Sequence, residues 1–284
     1  MAVRIFSDST CDLGEEIASR YGITIIPLCI IMGDETYYDG EGLSQKDIFR
    51  WSDENRTTPK TAAMTRERLE TAVGPALSAG DDCILFVIAS GMSSTYSIAN
   101  LYASEDGNER LHVIDSANLS TGTGLLVIKA AEMAAAGASA EEIIETVEAL
   151  KPKVRASFVI DTLTYLSRGG RCSSVTALLA GTLKLHPEIA VTDGAMGVGR
   201  KFRGSLESSV MKYVREHEEE MRSALPDRIF ITHTMQEKDA GIVPEVREYL
   251  ESLGIFAEIL ETRAGGVVSS HCGPGTLGIL YLLS

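Results

Sequence analysis

The first half of the chain alternates short apolar runs with longer amphipathic stretches. The apolar runs are VRIFS at 3–7, TIIPLCII at 24–31, CILFVIA at 83–89 and LHVID at 111–115. Between them the pattern predicts helices from Asp12, from Ser44, from Thr65 and near Ser94. Strands that alternate with helices in this way form a parallel sheet covered by those helices. Asp12 with Glu15, and Ser44 with Asp47, have the spacing of residues that satisfy the free amides of a first helical turn, and Thr65 reads as a further N-cap. Two more helices are expected from Asn118 and Ser139, the second opening with Glu141 and Glu142, where negative charge complements the helix dipole.

After Pro152 the pattern changes. RASFVI is followed by helical stretches around Tyr165 and Val175, and then by EIAVTDGAMGVGRKFRG, two strand-like runs joined by Asp193-Gly194. An Asp-Gly pair between apolar runs is a strong hairpin signal. A charged helix from Ser205, the strand RIFITH, a helix from Gln236 and the strands FAEILE and TLGILYLL complete the chain. The resulting expectation is an α/β protein of two domains, residues 1–155 and 156–284, the first with a parallel sheet and the second with a mixed or antiparallel one.

Composition narrows the partners. At 284 residues, with 44% hydrophobic and 23% charged side chains, the chain can bury two ordinary globular cores. A net charge of −14 opposes nucleic acid and anionic membrane surfaces, both of which are bound through clustered Lys and Arg. The five cysteines are scattered with no CxxC spacing, which fits free thiols in a reducing compartment. The first residues run straight into a strand with no secretory pattern, and no apolar run reaches membrane-spanning length. The expected location is the cytoplasm, without stable membrane insertion.

Common catalytic signatures are absent. The sequence holds no GxxxxGK[ST] loop, no GxGxxG after the first strand, no HExxH and no EF-hand loop, and its histidines lack metal-ligand spacing. What remains is a set of four polar segments at predicted strand ends, where open α/β sheets place ligands. They are Ser7-Asp8-Ser9-Thr10, the stretch from Pro59 to Thr65, the stretch from Ala89 to Tyr96, and the glycine-rich stretch from Gly265 to Gly275 carrying His271. Each has a structural reading as a cap or turn beside the functional one. Hydroxyls and free amides at a helix start make an anion site, and flanking glycines let backbone approach a ligand. Ser93 and His271 also raise a serine hydrolase as a competing class, although Gly91-Met92-Ser93-Ser94-Thr95 fails the GxSxG elbow at its last position. His186 reads as a surface histidine, the run His217-Glu218-Glu219-Glu220 as an exposed helix face, and Arg168 and Arg171 as a solvated helix end or a docking site for an acidic partner.

Taken in order, SDST at 7–10, PKT at 59–61, SGMSSTY at 90–96, VIDS at 113–116, GTG at 122–124, TLTYLSRGGR at 162–171, KFRG at 201–204 and HCGPGTLG at 271–278 resemble the DegV family of fatty-acid-binding proteins, which includes the binding subunits of bacterial fatty acid kinase. The resemblance covers essentially the whole chain. It implies a two-domain DegV-like fold with a Rossmann-like N-terminal sheet and a long-chain fatty acid at the junction, its carboxylate near Thr61, Ser93 and Ser94 and close to His271 and Gly273. It also places Arg203 near the head group and toward a kinase partner, while Arg171 is a candidate partner contact through its basic turn alone. In the kinase-linked members the protein is a carrier with no catalytic residues or cofactor of its own, and a separate ATP-dependent kinase converts the bound carboxylate to an acyl phosphate. A carrier or sensor of another lipid or small acid is the alternative within the same binding class. This chain departs from the family after Thr61, where Ala62-Ala63-Met64-Thr65 replaces the usual Ser-Gln-Pro-Ser.

Overall fold

The computed structural model describes residues 2–105, 107–172 and 185–284 of the chain; the helix expected around Val175 lies outside them. The N-terminal half builds a four-stranded parallel sheet from β1 (Val3–Asp8), β2 (Thr24–Ile26), β6 (Asp82–Val87) and β7 (Leu111–Asp115), in the order β2-β1-β6-β7. Cys83 to Val87 are fully buried, as expected of a central parallel strand covered on both faces.

The run TIIPLCII is not one strand. Proline cannot donate to a ladder, and the chain leaves the parallel sheet at Pro27-Leu28. Beyond the break, β3 (Cys29–Met32) pairs antiparallel with β4 (Glu35–Tyr38) and with β5 (Lys60–Ala62) in a separate three-stranded sheet. In that register Thr61 lies opposite Ile30, so a buried core strand fixes its position.

The second half forms a six-stranded mixed sheet from β8 (Val154–Val159), β9 (Leu185–Thr192), β10 (Ala195–Arg203), β11 (Ala224–His233), β12 (Glu258–Arg263) and β13 (Leu277–Leu283), ordered β10-β9-β8-β13-β11-β12. Only β11 and β12 pair in parallel. The predicted hairpin is present: Thr192 pairs with Ala195 across Asp193 and Gly194, both at positive φ.

The helix Thr121–Ala135 lies between the two sheets and packs on β1, β8 and β13. A Cβ at Gly124 would stand 2.7 Å from Leu13 and 2.9 Å from the Cys11 carbonyl, so glycine permits the close approach. One apolar cluster consequently contains Ile5 and Ile84 from the first sheet together with Phe230 and Leu280 from the second. The two halves are joined by shared core.

Several local expectations hold. Ser44 with Asp47 and Ser139 with Glu142 form capping boxes, and Thr65 and Ser205 cap their helices. Others are corrected. Asp12 does not cap the helix Gly14–Arg20; it is buried, and its carboxylate accepts the Gly265 amide at 2.7 Å and the Ser120 hydroxyl at 2.5 Å. The helix expected from Asn118 starts at Thr121, and the one expected from Gln236 is a 3-10 turn followed by the helix Ile242–Leu253.

Two histidines expected at the surface are enclosed. His186 faces Phe202 across the hairpin and is 5% exposed, with Nε2 3.3 Å from the Gly204 carbonyl oxygen. His217 is held 2.7 Å from the buried Glu188 carboxylate, and beside it Glu220 accepts from Arg155 and Tyr281. These groups line a cleft of about 590 Å³ between the halves.

Candidate functional site

A second cavity, of about 300 Å³, opens where the carboxyl ends of the parallel strands meet the C-terminal half. Its wall takes Leu28 from beyond β2, Ile88, Met92, Ser93 and Ser94 from beyond β6, and Leu119 from beyond β7. The opposite wall is the helix Gly266–Cys272 with Met196 of the hairpin. A crevice beyond strand carboxyl ends is where open α/β sheets bind ligands, and the volume is that of a small-molecule site.

The polar groups gather at one end. Thr61 Oγ1 lies 2.8 Å from His271 Nε2. The other ring nitrogen, Nδ1, is buried without a hydrogen-bond partner and abuts Gly169, where a Cβ would overlap the ring. Burial, with the nearby Arg171 charge adding to it, pushes the His271 pKa down to about 4, so the ring is neutral at ordinary pH. Ser93 Oγ accepts the Thr95 amide at 3.3 Å and lies 2.9 Å from Thr95 Oγ1, which fixes it at the start of the helix Thr95–Ala103. Ser94, expected as the cap, makes no side-chain cap bond and is exposed at the rim.

The first polar segment supports this site from behind. Asp8 accepts the Thr10 amide at 3.0 Å and the Ile88 amide at 2.8 Å, tying the end of β1 to the segment that leads to Ser93. Burial lifts the Asp8 pKa to about 6 against those hydrogen bonds. Ser9 Oγ accepts the Leu28 amide at 3.1 Å. At the other wall Asp12 and Asp39 receive the amides of Gly265 and Gly266, anchoring the first turn of the helix that ends in His271 and Cys272.

Away from the polar end the cavity is apolar. Leu119, Val268 and Cys272 separate it from a narrow inner recess of about 20 Å³. Hydroxyls stand around that recess, but each has a partner: Ser120 on Asp12, Thr232 on Thr121 and Thr262, Thr234 on the Gly273 carbonyl, and Thr276 on the Cys272 carbonyl. The buried Cys272 thiol is pushed up to about 12, so it contributes a small apolar wall and no thiolate.

Of the residues expected at the site, Thr61, Ser93, Ser94 and His271 line this one cavity. Gly273 does not; it is buried at φ 75° behind His271, where a Cβ would meet the Tyr165 ring at 2.6 Å, and it allows the chain to turn. Arg203, at the end of β10, is exposed and lies outside the lining. Arg171, expected toward a partner, stands in the wall. Ala62, Ala63, Met92 and Met196 also line it, and no spacing rule marks such single apolar residues.

The model of the DegV protein family matches residues 2–284. The chain belongs to the DegV family. A DegV domain-containing protein from Deinococcus radiodurans is 31% identical over 98% of both chains. Among solved structures, a fatty-acid-binding DegV family protein from Thermus thermophilus superposes with a TM-score of 0.88 at 28% identity over 100% of both chains. DegV of Bacillus subtilis, described as a fatty acid binding protein, gives 0.86 at 26% identity over 100% of both chains. The resemblance to the DegV family thus holds over the whole chain, and the α/β architecture, with its parallel four-stranded and mixed six-stranded sheets, matches the solved DegV structures. Among the described residues no helix is long and apolar enough to cross a membrane, and no group of three or more His, Cys, Asp or Glu side chains is placed to hold a metal ion.

Proposed function

We propose that this DegV protein binds a long-chain fatty acid in the cavity, with the carboxylate at Thr61, Ser93 and His271 and the tail running past Leu119 and Val268. The observation that carries the reading is the Thr61–His271 contact at the polar end of an otherwise apolar cavity. A neutral imidazole has one N–H, and Nε2 is the nitrogen with a partner. A proton there donates to Thr61 Oγ1 and leaves the threonine hydrogen free to donate to a carboxylate. Ser93 donates in the same way when Thr95 donates to it. Hydrogen bonds to an ionised acceptor are short and stronger than neutral ones. They fix orientation, while the tail supplies affinity: burying roughly a dozen methylenes at about 0.8 kcal/mol each gives on the order of 10 kcal/mol before ordering costs.

The protein acts as a carrier in this reading, presenting the carboxylate to a separate ATP-dependent kinase that forms the acyl phosphate. A hydrolase is disfavoured on geometry: the hydroxyl bonded to His271 is that of Thr61, whereas Ser93 is paired with Thr95. Native mass spectrometry of the freshly purified protein, before and after solvent extraction, tests the binding. A bound mass equal to one fatty acid is expected, and a single unliganded mass refutes the reading. Incubation with a candidate kinase and ATP tests the carrier role through acyl phosphate formation.

A further inference from the structure

A further cleft, of about 470 Å³, borders Gly265, at the opposite end of the helix Gly266–Cys272 from His271. Its volume is that of a small-molecule site. The floor is apolar and formed by Leu13, Ala18, Ile23, Ile25 and Pro27. The lining also takes in Asp12 and Asp39, which are only 4% and 5% exposed. Asp12 accepts the Gly265 amide and the Ser120 hydroxyl, and Asp39 Oδ1 accepts the Gly266 amide at 2.6 Å. Asp39 Oδ2 has no hydrogen-bond partner. A Cβ at Gly265 would stand 3.0 Å from that oxygen and 3.1 Å from Asp12 Oδ1, so the two carboxylates converge on one point.

Among the described residues no Lys, Arg or His side chain pairs with either acid. Arg263, the one cationic side chain in the lining among those residues, donates instead to the Met235 carbonyl at 3.1 Å and to Gln45 Oε1 at 3.3 Å. Burial pushes both carboxyl groups above their ordinary range, as happens when charge is taken from water without a counter-charge. A group that compensates them has to be cationic, has to donate to the free oxygen, and needs carbon to cover the floor. A metal ion brings no carbon, and no group of three His, Cys, Asp or Glu side chains is placed to hold one among the described residues. An ammonium presents three donors and no acceptor, and its chain can lie on Leu13, Ala18 and Ile23. The net charge of −14 draws such cations toward the molecule.

We propose that this cleft is a second ligand site, which takes a small primary alkylammonium with its nitrogen between Asp39 Oδ2 and Asp12 Oδ1 and its chain on the apolar floor. The cleft and the cavity at Thr61 and His271 share no lining residue, so the site stands whether or not that cavity holds a fatty acid.

The test uses full-length protein labelled at its alanine, isoleucine and valine methyls, with hexylammonium as the probe and 1-hexanol as its neutral counterpart. Hexylammonium at up to about 10 mM is expected to give saturable shifts of the Ala18 and Ile23 methyls and to leave Val268, in the other cavity, unmoved. Hexanol is expected to bind roughly tenfold more weakly, the size of a lost charge-assisted hydrogen bond. Asp39→Asn keeps an acceptor for the Gly266 amide and is expected to weaken hexylammonium by a similar factor of about ten. Ser19 is exposed and lines the cleft, so Ser19→Phe covers the floor with both carboxylates in place. A comparable loss is expected there, and this variant carries the test should Asp39→Asn fail to fold. The absence of saturable shifts at Ala18 and Ile23, the result if a proton alone neutralises Asp39, overturns the proposal. Equal binding of hexanol, undiminished binding by either folded variant, or shifts confined to Val268 overturn it as well.

Discussion

At the mouth of the cavity Thr61, Ser93 and His271 come from three separate segments and are each fixed by a hydrogen bond, whereas the inner end is walled by Leu119 and Val268, held by packing. The mouth presents a few donors at defined points. The inner end presents carbon, because every hydroxyl near it is satisfied by a neighbouring residue. Removing one donor from the mouth therefore subtracts one interaction from any acid that binds, whatever its length. Narrowing the inner end subtracts methylenes, and its effect grows with the length of the chain.

The largest expected effect is at the inner end. Val268 is 7% exposed and belongs to the wall shared by the main cavity and the recess. Val268→Phe excludes about three methylenes from the cavity, which at about 0.8 kcal/mol each weakens an eighteen-carbon acid by roughly fiftyfold. A twelve-carbon acid loses little. Comparing dissociation constants across chain lengths checks this, and a uniform loss would place the tail elsewhere.

The mouth should respond differently. Ser93→Ala deletes one donor to the carboxylate and is expected to weaken binding about fivefold to tenfold, equally at every chain length. Its fold is expected to be retained at reduced stability, because the helix start gives up two contacts to Ser93 Oγ, from the Thr95 amide at 3.3 Å and from Thr95 Oγ1 at 2.9 Å, which together cost about 1 to 3 kcal/mol. Titration calorimetry over the same series of acids reads the slope. A length-dependent loss would mean that the head group lies elsewhere.

The same contrast explains what the amino-acid sequence alone disclosed. Thr61, Ser93 and His271 were legible because hydroxyl and glycine-rich segments at strand ends form ordered motifs, and the parallel sheet followed from alternating patterns. Contacts between distant residues were not. Asp12 has the spacing of a helix cap, yet its partner Gly265 is 253 positions away, and burial decided in favour of that amide. His186 and His217 look like surface residues until strand pairing encloses one and Glu188 claims the other. The apolar wall of the cavity was the least visible part, since Leu28, Leu119, Met196 and Val268 are ordinary core residues in sequence and line one cavity only after both halves share a core.

The smallest expected effect concerns the imidazole that bridges the two regions. His271 protonates only near pH 4 in the folded protein, below the ordinary value of 6.5, because burial and the Arg171 charge disfavour its cationic form. The unfolded chain takes up this proton first. Stability contributed by the neutral ring is therefore fully present above about pH 6.5 and is lost as the pH falls toward 4, with a cost of roughly 1 kcal/mol already at pH 6. His271→Gln removes that slope, while Asp8, with its pKa lifted to about 6, contributes a slope of the opposite sign in both proteins, its folded state holding a proton that the unfolded chain releases above about pH 3.8. The difference between the two unfolding curves from pH 7 to 5 isolates the histidine, and imidazole chemical shifts give its titration directly. A bound carboxylate beside Thr61 favours the imidazolium, so loading with palmitate is expected to move the His271 midpoint upward. A midpoint that is the same with and without palmitate would separate His271 from the head group and leave it as part of the wall.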